Sequence, residues 1–271
     1  MKFLFIRTLI ALALVIGLAD GTAAGEVSLR VMPSPETPEA DFRPEDGGEW
    51  GVSAGFGRVW FESDSLSVSA SMNGVAAGVV YRGVLGRRLG FSVSPVTGGA
   101  FFGEALGYKV DTYAVGSGFT FGSRVLGSAD SHNLILFGGG AYSFSADRND
   151  FSLGEYSARA HFFGFAAGAK VQIAPWPMVR FQPFYLYMGG DGWYSASVDT
   201  VLPLPDESRG ALGYRDVHLL GLDFQIFGVS AKIVGDFFRD DAGSMTVVID
   251  VLDTVRGVKR TFAGGAEGSG G

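Results

Sequence analysis

The sequence predicts an all-β protein built as a closed antiparallel transmembrane β-barrel of eight to ten strands. Three observations lead there. Apolar residues recur at every second position over much of the chain, with no comparably sustained helical period. The composition is rich in glycine (42) and phenylalanine (23), lacks cysteine and is only 18% charged, unlike an ordinary soluble domain. Outside residues 1–24 no apolar run approaches the roughly 20 residues of a spanning helix, so a membrane protein of this sequence has to cross as strands.

Residues 1–24 place Lys2 and Arg7 before an apolar run from Thr8 to Leu18 and a small-residue stretch ending at Ala24, the layout of a cleaved secretory signal peptide. Residues 25–48 carry Pro33, Pro35, Pro38 and Pro44 among acidic residues. Proline donates no backbone hydrogen bond, so this reads as an extended segment outside the sheet. The barrel is expected over 49–256, with a flexible glycine-rich tail at 257–271. Candidate strands are 49–61, 66–82, 89–101, 108–125, 132–147, 154–173, 178–195, 213–238 and 244–256. In the first, Trp50, Val52, Ala54, Phe56 and Trp60 share one parity while Gly51, Ser53, Gly55 and Gly57 occupy the other. The apolar phase changes at Asn73-Gly74, which reads as a hairpin or a bulge, and again near Phe162-Phe163. Nine segments do not suit a barrel of even strand number. Either 213–238 divides near Phe227-Gly228, giving ten, or the last segment stays outside, giving eight. Longer connections are expected at 148–153 and 196–212.

With its alternation and aromatic strand ends, the region 49–256 resembles the small bacterial outer-membrane β-barrels of the OmpA- and OmpW-like class. The resemblance is architectural and rests on no family motif. It implies a location in the cell outer membrane, reached by export through the cleaved signal peptide, with outer-membrane lipid as the surroundings. It differs in its end: many such chains stop on an aromatic residue, whereas this one runs on past Phe262. Trp50, Trp60, Tyr81, Trp176 and Tyr185 are the expected membrane-interface aromatics. A secreted soluble β-sandwich binding module is the rival architecture, but its solvent face would carry charge where this chain carries Gly, Ser, Ala and Thr.

The net charge of −7, without any basic stripe, excludes a nucleic-acid partner. His132, His161 and His218 show no metal-ligand spacing, so neither metal nor cofactor is expected. Ser131-His132 beside Asp130 sits in a turn, and sequence neighbours seldom have triad geometry. No catalytic motif supports an enzyme, and an outer-membrane lipid-modifying hydrolase is kept only as an alternative. Gly189-Gly190-Asp191-Gly192 occurs once and reads as a loop tip, and Gly138-Gly139-Gly140 lies in a strand. Charges within strands say more. Arg159, His161, Lys170, Arg180, Gln182, Asp223, Gln225 and Lys232 are expected to point into the lumen, because a charge at the lipid midplane costs roughly 2–4 kcal/mol. There they would form either a paired polar plug or a narrow passive channel for small solutes. The expected function is thus structural or a passage. Oligomeric state and any solute are not readable from the chain.

Overall fold

The computed structural model describes residues 48–63, 68–86, 88–105, 108–128, 132–151, 154–176, 179–200, 207–236, 242–256 and 258. The expected signal peptide, the Pro-rich segment up to residue 47 and the tail after 258 lie outside the described residues. The strands are β1 (Glu49–Ser63), β2 (Val68–Val84), β3 (Leu89–Ala105), β4 (Tyr108–Gly127), β5 (Asn133–Phe151), β6 (Gly154–Trp176), β7 (Val179–Thr200), β8 (Glu207–Ala211), β9 (Arg215–Ile226), β10 (Val229–Asp236) and β11 (Ala242–Asp250). All neighbours pair antiparallel. β8 and β9 lie end to end along β7, so they form one wall segment, and pairing of β11 with β1 closes a ten-stranded barrel.

The register gives the geometry of that closure. Stepping from strand to strand through Phe181, Phe224, Ala231, Ile249, Ala54, Ala77, Gly98, Val115, Phe144 and His161 returns to β7 at Trp193, a stagger of 193 − 181 = 12 residues. With about 3.3 Å per residue and about 4.8 Å between strands, this tilts the strands by roughly 40° and leaves a backbone cylinder roughly 20 Å across. Such a cylinder is filled by side chains.

Side chains divide by parity. Phe56 and Val75 face outward, 56% and 60% exposed, while Val59, Met72 and Phe101 are buried inside. The change of apolar phase at Asn73-Gly74 is neither hairpin nor bulge, because β1 pairs with β2 without interruption from Glu49 to Ser63. The phase changes because the lumen itself turns apolar there: Met72 points in, and Val75 points out. The same holds at Phe162-Phe163, where Phe162 is buried, Phe163 is exposed, and the pairing of β5 with β6 runs unshifted.

The chain divides at Phe227-Gly228, both with positive φ (48° and 87°), a two-residue turn between β9 and β10 whose twist suits a hairpin. The strands outrun their expected ends. β5 reaches Phe151 and β7 reaches Thr200, so the expected loops at 148–153 and 196–212 shrink as polar hairpins continue to pair above the apolar band. The last segment stops being strand at Asp250, and residues 251–256 are helical.

Four buried phenylalanines fill the lumen by lying over glycines. A Cβ on Gly74 would come within 2.7 Å of Phe101, one on Gly164 within 2.6 Å of Phe162, one on Gly168 within 2.6 Å of Phe137, and one on Gly221 within 2.1 Å of Phe184. Glycine on the inward parity therefore makes room for rings from other positions.

Candidate functional site

We call the end carrying the connections 85–88, 128–132, 177–178 and 227–228, where β1 begins, the turn end; the opposite one is the loop end. Just inside the turn end the lumen holds a layer of charge. Lys170, 2% exposed, places Nζ 2.5 Å from Asp223 Oδ2, with Lys232 Nζ 3.7 Å from Oδ1 of the same carboxylate. Gln182 Nε2 donates to Gln172 Oε1 at 3.0 Å. Arg82 spans two carboxylates, donating to Asp250 Oδ2 at 2.9 Å and to Asp253 Oδ2 at 2.8 Å. All of these except Gln172, together with Ser230, line a cleft of about 450 Å³, the open solvent at its mouth included. Three cations face three carboxylates, so the layer is close to neutral. Burying each ion alone would cost several kcal/mol, and pairing offsets that.

The helical turn 251–256 roofs this layer. Asp250 Oδ1 accepts the backbone N–H of Asp253 at 3.0 Å, which is the hydrogen bond of an N-cap residue. Thr254 Oγ1 accepts from Ser230 N at 3.0 Å, and Arg256 Nη1 donates to Glu49 Oε2 at 3.0 Å. The segment that follows the closing strand is therefore fastened to β1, β2 and β10.

Of the residues expected in the lumen, Lys170, Gln182, Asp223 and Lys232 meet in this layer. Arg180 and Gln225 oppose one another in the next row toward the turn. Arg159 and His161 do not join them. They share the outward parity of Phe163 and Phe165, because β6 keeps one phase from Gly154 to Lys170, and the two residues expected beyond a phase switch fall on the opposite face. His161 stacks on Trp193, ring centroids 4.8 Å apart and planes at 16°, and its Nδ1 lies 3.0 Å from Tyr142 Oη. Arg82, Asp250 and Asp253 are the members that sequence reasoning missed. Arg82 shares the parity of Gly74 and Gly78, and that signal was present in the chain.

Outside, Trp50 (52% exposed) packs on Tyr81, and the row continues through Phe91 and Phe121 as an aromatic belt near the turn end. Trp176 is exposed at the same end. Near the loop end Phe102 and Tyr113 meet edge to face, and Phe163 stacks with Trp193. Trp60 lies ten residues from Trp50 on the outward parity, about 25 Å along the barrel axis at the tilt given above. Arg58 also faces outward, close enough to that rim for its head to reach it. Tyr185 departs from its expected place. It lies midway along the wall of β7, and its hydroxyl bonds to His218 Nδ1 at 2.6 Å, with Asp216 Oδ2 3.3 Å from His218 Nε2. Among the described residues no group of three or more His, Asp or Glu side chains could hold a metal.

This is the fold of a transmembrane-type antiparallel β-barrel. No family model and no curated protein matches the sequence. Solved structures do. The transport unit of the autotransporter AIDA-I from Escherichia coli is similar with a TM-score of 0.50 at 9% identity, over 85% of this chain and 97% of that one. The outer membrane protease OmpT from Escherichia coli has a TM-score of 0.47 at 10% identity, over 80% and 97%. The translocator domain of the autotransporter NalP from Neisseria meningitidis has 0.46 at 10%, over 86% and 95%. The likeness is one of fold.

Proposed function

We propose that the protein is an integral barrel of a bacterial outer membrane, with a filled interior and a structural role rather than one in solute conduction. The observation that carries this is the lumen at mid-depth. Phe137, Phe162, Phe184, Leu186, Met188, Val217, Leu219 and Val234 are buried there as one apolar cluster. A hydrated path needs polar lining along its whole length, and an apolar constriction dewets it. The outward face inverts the usual rule of soluble proteins, with Phe56, Val75, Phe119, Phe165 and Val247 exposed between two aromatic belts. Lipid is the solvent that suits such a face.

The reading includes no catalytic step. The chain Tyr185, His218, Asp216 lies on the outward wall, and the rows that hold it bring in Ala169, Leu220, Tyr187 and Gly189 but no serine. Fractionation and planar-bilayer recording test the proposal. The protein is expected in the detergent-extracted membrane fraction as a heat-modifiable band, and to insert without conductance. Recovery as a soluble monomer without detergent would overturn the membrane reading; steady ohmic conductance would overturn the filled interior.

A further inference from the structure

On the outward face of β6, β7 and β8, just past the loop-end belt, three successive cross-strand rows change character in order. The first row is His161, Trp193 and Ala211. The second is Arg159, Ser195 and Arg209, with both arginines exposed. The third is Ser157 and Ser197, whose hydroxyls are 2.8 Å apart, with Glu207 next in register. Directly opposed residues are about 5 Å apart, so the two arginine Cα atoms flank Ser195 at a separation of about 10 Å. Successive rows on one face are about 7 Å apart along the strand, so the arginines stand about 5 Å farther from the membrane middle than the stacked rings.

We propose that these rows form a binding site for a lipid whose headgroup is a phosphomonoester. Two planar guanidinium groups carried on either side of Ser195 suit a dianion with three acceptor oxygens. The serine hydroxyls supply further hydrogen bonds. The stacked ring floor of His161, Trp193 and Phe163 runs down into the apolar wall at Phe165, which gives acyl chains a surface continuous with the headgroup site. Arg148 directly opposes Ser157 at the edge of the third row and is paired with Glu155 at 2.9 Å, Lys109 stands between Glu104 and Asp150 in register, and Arg58 has Asn73 and Met245 beside it. Arg159 forms no ion pair among the described residues, in a chain that is acidic overall.

The site rests on the membrane reading above, and the test separates the two. Wild type and Arg159→Gln/Arg209→Gln are inserted in nanodiscs of phosphatidylcholine doped with phosphatidic acid, and lipid retained by the barrel is counted by native mass spectrometry. Wild type is expected to retain phosphatidic acid in preference to phosphatidylcholine. The double variant should lose that preference by roughly fivefold for each guanidinium removed, Arg159→Lys/Arg209→Lys should keep part of it, and Lys109→Gln should match wild type. Heat-modifiability of each variant shows that it is folded. Equal retention of the two lipids by inserted wild type, or an undiminished preference in the double variant, would overturn the site and leave the membrane reading standing. Displacement of the lipid by equimolar inorganic phosphate would overturn the lipid as occupant. Wild type that stays soluble and never inserts would overturn both.

Discussion

Lys170 and Asp223 show how a narrow barrel tolerates charge. Desolvating the two ions costs more than an exposed pair could return, but here the carboxylate meets two ammonium groups in a layer that also holds Arg82 and Asp250. Removing one partner leaves the other buried. Asp223→Ala is expected to destabilise the barrel by about 3 kcal/mol, and Lys170→Met/Asp223→Leu to recover most of it, measured by urea unfolding from lipid vesicles. Parity made Lys170, Gln182, Asp223 and Lys232 legible beforehand. Arg159 and His161 were misread because an apolar residue can face either lipid or a filled lumen, so Phe162 beside Phe163 looked like a phase change when the strand ran straight.

Among the elements, the helical turn at 251–256 and the short strand β8, which falls within the expected connection 196–212, are the ones that alternation did not reveal. Asp250 ends β11 and caps the turn, with one oxygen on the Asp253 N–H and the other on Arg82. Asp250→Ala removes both contacts. Trypsin cleavage after Arg256 in the detergent-solubilised protein should then speed up while the strands stay resistant; an unchanged rate would show that Thr254 and Arg256 hold the turn alone. The extended strands β5 and β7 were underestimated for a different reason. On the membrane reading, water replaces lipid above the apolar band, so the polar positions there keep the ladder but lose the hydrophobic alternation used to find it.

For the whole molecule, the stagger of 12 residues over ten strands fixes tilt, and tilt sets how far apart the belts lie. Depth then decides the cost of an outward charge. Phe56→Arg, between the belts, is expected to cost about 2–4 kcal/mol in vesicles, and Trp50→Arg, at the rim, at most about 1 kcal/mol in excess of its lost ring contact with Tyr81. Equal costs at the two positions in urea titrations would contradict a bilayer around this face. The large-over-small packing of Phe101, Phe137, Phe162 and Phe184 on glycines explains why such a narrow barrel stays filled.

The sequence by itself determined the all-β class and the outward parity of Trp50, Phe56 and Trp60, which depend on period-two patterning, and it offered a division near Phe227-Gly228 as one of two routes to an even strand count. Only the tertiary structure decided the strand count, the stagger, the apolar middle of the lumen and the side on which Arg159 stands. Those depend on which strands meet when the sheet closes, and closure brings together residues as distant as Arg82 and Asp250, whose pairing no local pattern encodes.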